Sequence, residues 1–152
     1  MTCADTSFLL SLEGNDSNNP AAVAHARTQS KPLRITALNR LEFENAIRLL
    51  RFRGVLAETE VTATLAALDG DEQAGRITEM VCDWTAVMCE AMRVSRARAE
   101  QEGHRVMDIL HVAAALKSGA TVFLSFDGRQ RKLAAAEGLT VGPQTAALST
   151  PP

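Results

Sequence analysis

The amino-acid sequence predicts an α/β fold with a mostly parallel central sheet, and two observations carry that prediction. Short apolar segments that suit buried strands alternate along the chain with longer segments of helical apolar spacing. The composition agrees: aromatics are 4% with no Tyr, so the core must be built from Leu, Ala, Val and Ile, a mix that favours helices with a few strands. At 152 residues and 46% apolar, the chain suits one domain around one core.

The elements follow in order. Thr2–Ala4 reads as a short strand ending at Asp5. Gly14–Pro20 (GNDSNNP) is a turn-rich loop, and Ala21–Gln29 is predicted helical until Ser30–Pro32 breaks it. Leu33–Thr36 alternates apolar and polar as a strand does. Leu38–Phe52 repeats apolar residues at helical spacing up to Gly54. Thr59–Leu68 is a further helix, closed by the acidic stretch Asp69–Gly75. Asp83–Gln101 is a long amphipathic helix with Trp84, Val87, Met88, Ala91, Met92 and Val94 on or near one face, so Trp84 is expected in the core. Asp108–Lys117 is a helix with Gly119 as its C-cap. Thr121–Phe126 is the best strand, apolar and β-branched. Gly128–Glu137 is a helix, and Leu139–Val141 is a last short strand. Residues 1–142 are thus expected to form a single domain, with 143–152 a loose tail.

Charge and cysteine usage narrow the class. The net charge is −2, yet 13 of the 16 basic residues are Arg, whose forked guanidinium matches phosphate oxygens. With four of the 18 acids gathered on a metal, 14 acidic residues would face 16 basic ones, so an anionic substrate fits. Cys3, Cys82 and Cys89 are odd in number, widely spaced and lack a CxxC pair, which argues against a disulfide framework or a zinc site. Reduced thiols in a cytoplasmic protein are the expectation, with Cys82 and Cys89 buried on one shared helix face. Neither a targeting signal nor a membrane-spanning run is read.

Parallel sheets build their sites at the carboxyl ends of strands. Asp5 follows the first strand and Asp127 the strand at Thr121–Phe126. Asp108 lies in the first turn of the helix leading into that strand, and Glu42 about a turn into the helix after the second. Carboxylates gathered there would repel, at about 4 kcal/mol per pair at roughly 4 Å and an effective dielectric near 20. A hard dication such as Mg²⁺ or Mn²⁺ relieves that repulsion, holds substrate phosphates and activates water, which points to phosphodiester hydrolysis. Taken one at a time, these acids have plain readings too. Asp5 is a possible helix N-cap, Asp108 complements a helix dipole, Asp127–Gly128 is a turn, and Glu44 competes with Glu42. His111 shares a face with Asp108, as a hydrogen-bonded core histidine or one behind the metal ligands. Arg129 and Arg131 could touch phosphate or be solvated, and the same holds for Arg93, Arg96 and Arg98.

Four segments in order carry a resemblance to a known family: ADTSFLL at Ala4–Leu10, ITALNRLEFENAI at Ile35–Ile47, RVMDILHVAAAL at Arg105–Leu116 and FLSFDGRQRKLA at Phe123–Ala134. They resemble the four acidic motifs of PIN domains, most nearly the VapC-type ribonuclease toxins of type II toxin–antitoxin pairs. The resemblance implies a PIN-like three-layer α/β/α sandwich and a Mg²⁺- or Mn²⁺-dependent endoribonuclease. It implies Asp5, Glu42, Asp108 and Asp127 as metal-holding catalytic residues, with Ser7 bonding to the first Asp and Ser125 keeping a hydroxyl where Thr is usual. Met107 stands where relatives carry a smaller residue, a packing change. An RNA substrate, a cognate antitoxin and a homodimer are the partners it implies.

Rival classes fit less well. A phosphatase of the haloacid-dehalogenase kind would need Asp-x-Asp after the first strand, where this chain has Asp5-Thr6-Ser7. A receiver-type signalling domain would need paired early acids and a Lys after a late strand. The main alternative is a catalytically silent PIN fold that binds RNA or protein. Four mutually repelling carboxylates speak against it, because a binding module gains nothing from them.

Overall fold

The computed structural model describes residues 1–144; beyond 144 the expected tail lies outside the described residues. Five parallel strands, β1 (Thr2–Ala4), β2 (Leu33–Ile35), β3 (Ile77–Glu79), β4 (Val122–Leu124) and β5 (Thr140–Gly142), form one sheet in the order β3-β2-β1-β4-β5. Seven helices are described: α1 (Thr6–Glu13), α2 (Asn19–Arg27), α3 (Ala37–Phe52), α4 (Glu58–Gln73), α5 (Trp84–Glu102), α6 (Val106–Lys117) and α7 (Gly128–Ala136).

Strand alternation divides the core between the two faces of the sheet. Ala4, Leu33, Ile35 and Leu124 pack with Phe8 and Leu9 of α1, Ala22 of α2, Phe43 and Ile47 of α3 and Leu68 of α4. Cys3 and Phe123 point the other way, onto Val87, Ala91 and Val94 of α5, the buried run Ile109–Ala115 of α6, and Leu133 of α7. The result is the expected three-layer α/β/α sandwich. Chain order reverses between β1 and β4, which pair through Cys3 and Phe123, so the switch crevice opens at the carboxyl ends of these two strands.

The structure departs from the sequence reading at several elements. Helix α1 was not expected, because Phe8–Leu12 is too short a run to show a helical period; Phe8 and Leu9 are nevertheless fully buried. Strand β3 was not expected either, since it is three residues long with only Ile77 buried. The acidic stretch after Leu68 is helical through Gln73 rather than a closing loop. Arg40 of α3 supplies the reason by pairing with Asp69 and Glu72. Trp84 is not in the core: α5 turns Val87, Ala91 and Val94 inward and leaves Trp84, Met88 and Met92 on an exposed stripe. Cys82 precedes α5 half-buried and Cys89 on α5 is exposed, so they share no buried face; Cys3 is buried and all three are free thiols. Gly119 takes the left-handed φ of 74° just past α6, as a C-terminal glycine should. No helix among the described residues is long and apolar enough to cross a membrane.

Candidate active site

Local chemistry places the first and fourth acids. Asp5 leaves β1 in extended conformation and caps α1, its Oδ1 accepting from Phe8 N at 2.8 Å. Asp127 plays the same part for α7, its Oδ1 accepting from Arg129 N at 2.7 Å and Gln130 N at 3.2 Å. Two serines join them across the switch crevice. Ser125 Oγ donates to Asp5 Oδ2 at 2.7 Å and accepts from Asp127 N at 3.0 Å. Ser7 Oγ donates to Asp5 Oδ1 at 2.8 Å and accepts from Phe126 N at 2.8 Å and Asp127 N at 3.2 Å. Asp5 is fully buried. Burial pushes its carboxyl up to about 6, against the pull of the Phe8 amide and of the Ser125 and Ser7 hydroxyls.

The second and third acids come from helices that start at the same edge. Thr36 caps α3 after β2 in a capping box with Asn39. Glu42, a turn further on, turns Oε2 to the Thr6 hydroxyl at 2.7 Å and to His111 Nε2 at 2.5 Å. Burial raises the Glu42 carboxyl, but the bonds from His111 and Thr6 outweigh it and hold the group below its ordinary range. Asp108 stands in the first turn of α6, one turn before His111. Its Oδ2 accepts from Arg105 N at 3.2 Å. The plain readings of Asp5 as a helix cap and Asp108 as a first-turn acid are therefore realised, whereas Asp127, read plainly as a turn residue, caps α7 instead.

The other residues singled out in the sequence have different surroundings. Arg129 is exposed beside Asp127, whereas Arg131 Nη1 is spent on the carbonyls of Ser125 at 2.7 Å and Gly142 at 3.0 Å. Arg93 and Arg98 both pair with Glu137, away from these acids. Glu44, the competitor of Glu42, is occupied by Arg40 and Arg48. Thr6 and Asn39 went unnoticed in the sequence, although the Thr36-x-x-Asn39 capping pattern was there to be read.

Among the described residues no three His, Cys, Asp or Glu side chains stand close enough to form a ready metal cage. The donor chemistry nonetheless suits a hard dication, because the uncommitted atoms are all carboxylate oxygens. Glu42 Oε1, Asp108 Oδ1 and Asp127 Oδ2 accept no hydrogen bond from the described residues. Asp5 meets three donors with about four acceptor positions, leaving room for one more partner.

Comparison with known proteins gives a consistent picture. The sequence model of the PIN domain matches residues 2–136. No curated protein matches the chain by sequence. Among solved structures, Mycobacterium tuberculosis VapC20, a toxin that cleaves the sarcin–ricin loop, is 21% identical. It superposes with a TM-score of 0.65 over 94% of this chain and 100% of that one. FitAcB from Neisseria gonorrhoeae is 18% identical, with a TM-score of 0.62 over 93% of this chain and 96% of that one. VapBC2 from Rickettsia felis, solved with a DNA fragment from its promoter, is 11% identical, with a TM-score of 0.64 over 93% and 96%.

Proposed function

Because this chain belongs to the PIN domain family, we propose that it is a divalent-metal-dependent endoribonuclease that hydrolyses RNA phosphodiester bonds as the toxin of a toxin–antitoxin pair. The observation that carries the reading is the serine clamp at the switch crevice: Ser7 and Ser125 lock Asp5 to the turn that bears Asp127. Two hydroxyls spent on orienting one buried carboxylate are more than a helix cap needs.

Glu42, Asp108 and Asp127 would hold Mg²⁺ or Mn²⁺ through their uncommitted oxygens, with Asp5 as the fourth holder. When bound, such a cation supplies charge neutralisation at the scissile phosphate and activation of a water nucleophile. The chain's own part is positioning. The α1 and α7 caps and the two serines fix Asp5 and Asp127, and His111 and Thr6 fix Glu42. Arg129, exposed beside Asp127, would meet a phosphate of the RNA strand. A cognate antitoxin and a homodimer belong to the same proposal; neighbours of the fold include VapBC complexes.

The test is cleavage of total cellular RNA by purified protein with Mn²⁺ or Mg²⁺, against EDTA and Asp108→Asn. Discrete cuts are expected, lost in EDTA and reduced at least a hundredfold in Asp108→Asn, about 2.7 kcal/mol of barrier. Metal-independent cutting would sink the mechanism, and absence of metal binding would move the reading to a silent PIN fold that binds RNA or protein.

A further inference from the structure

Glu42 sits in a closed ring of hydrogen bonds whose direction is set by a helix cap. We propose from this ring that Asn39 is a positioning residue: it fixes the tautomer of His111 and, through His111 and Thr6, the orientation of the Glu42 carboxylate.

The deduction starts at a backbone group that can only donate. Thr36 N lies 2.9 Å from the Asn39 side-chain amide, so the atom facing it is the carbonyl Oδ1. The Thr36 hydroxyl accepts from Asn39 N at 3.1 Å and sends its own hydrogen to the same Oδ1 at 2.7 Å. With Oδ1 held at the cap, Nδ2 faces the other way with two hydrogens. It lies 3.1 Å from His111 Nδ1 and 3.5 Å from Thr6 Oγ1. An amide hydrogen aimed at Nδ1 requires a lone pair there, so the imidazole hydrogen is on Nε2. Nε2 then donates to Glu42 Oε2 at 2.5 Å. Thr6, approached by Asn39, donates to that same oxygen at 2.7 Å.

Side chains from α1, α3 and α6 thus close one ring, in which donation runs from Asn39 along two arms, through His111 and through Thr6, to Glu42 Oε2. Thr36, Asn39 and His111 are each no more than 3% exposed, so water does not compete for the bonds among these three, while the Glu42 carboxylate at the far end of the ring is partly exposed. Two consequences follow. Both nitrogens of His111 are committed, which leaves it neither a metal ligand nor a base toward water. Glu42 Oε2 is filled by two donors and Oε1 is the oxygen left for a cation. Asn39 touches no reacting atom and acts only through its neighbours.

The consequence for a cation rests on the nuclease reading; the tautomer does not. The experiment is therefore long-range ¹H–¹⁵N NMR of the histidine rings in the full chain, free of metal and RNA, followed by calorimetric titration with Mn²⁺. The Nε2–H form of His111 is expected. Asn39→Asp places an acceptor oxygen against Nδ1 and should draw the hydrogen there, with Mn²⁺ affinity falling roughly ten- to a hundredfold. His111→Gln, whose amide can still donate to Glu42, should keep most of the affinity that His111→Ala loses. An Nδ1–H ring in the unaltered protein overturns the proposal without any variant, as does Asn39→Asp with unchanged tautomer and affinity. A protein that keeps the Nε2–H ring but binds no Mn²⁺ and cuts no RNA supports the ring and overturns the nuclease reading.

Discussion

At the scale of single residues, the site shows how much depends on side chains too small to attract notice. Ser7 donates one hydrogen to Asp5 and accepts two backbone N–H groups from the turn after β4. Ser7→Ala should strand the Phe126 amide, while Asp127 N keeps Ser125 Oγ, and lower the unfolding free energy by about 2 kcal/mol in urea denaturation, within the usual cost of an unpaired buried donor. Glu13 tests the opposite edge of the sheet. Its Oε1 is buried without a partner, and burial, with nearby Asp71 adding to it and Arg76 opposing, lifts its carboxyl from the ordinary 4.5 to about 7. The folded state then holds the proton more tightly than the unfolded chain. The stability Glu13 contributes is complete below about pH 4.5 and is lost as pH rises to about 7. Melting temperatures across pH 4 to 8 should show Glu13→Gln gaining on the unaltered protein as pH rises; a constant difference would refute the burial argument.

At the scale of elements, ties between helices decide what local sequence leaves ambiguous. Arg40 reaches from α3 to Glu44 on its own helix and to Asp69 and Glu72 on α4. Arg40→Gln should raise hydrogen exchange through residues 69–73 about tenfold, some 1.4 kcal/mol of local stability, while α6 is unchanged. The same tie explains why that stretch reads as a loop: its acids carry no helical signal without their partner on another helix. The other gaps have equally physical causes. Helix α1 is one cap and two buried apolar residues, Phe8 and Leu9, and β3 is a three-residue strand held by β2; neither leaves a period in the sequence. Trp84, Met88 and Met92 recur every four residues and Val87, Ala91 and Val94 at three and four, so α5 has two apolar faces and pattern alone does not say which is buried. What was legible were β1, β2, β4, β5 and the long helices, and with them the ends where Asp5, Asp108 and Asp127 stand. The Asn39 ring was not, because three of its members are far apart in sequence.

For the whole molecule, the proposed cation would act as a cross-link between elements on both faces of the sheet. A ligand that binds only the folded state stabilises it by about 2.7 kcal/mol at a hundred times its Kd, or roughly 5–10 °C for a chain of this size. Mn²⁺ at that excess should raise the melting temperature by this amount, and Asp108→Asn should abolish the shift; an equal shift in the variant would mean that the cation binds elsewhere.

The pairing of β1 with β4 also sets a schedule. Asp5 meets the Ser125 hydroxyl across a sequence separation of 120 residues, and β1 stays half-paired until β4 arrives. On a ribosome adding some 5–20 residues each second, the first acid is made many seconds before its clamp. A half-made chain therefore lacks the turn after β4 that holds Asp5 and Asp127 together, and the proposed centre is completed only late in synthesis.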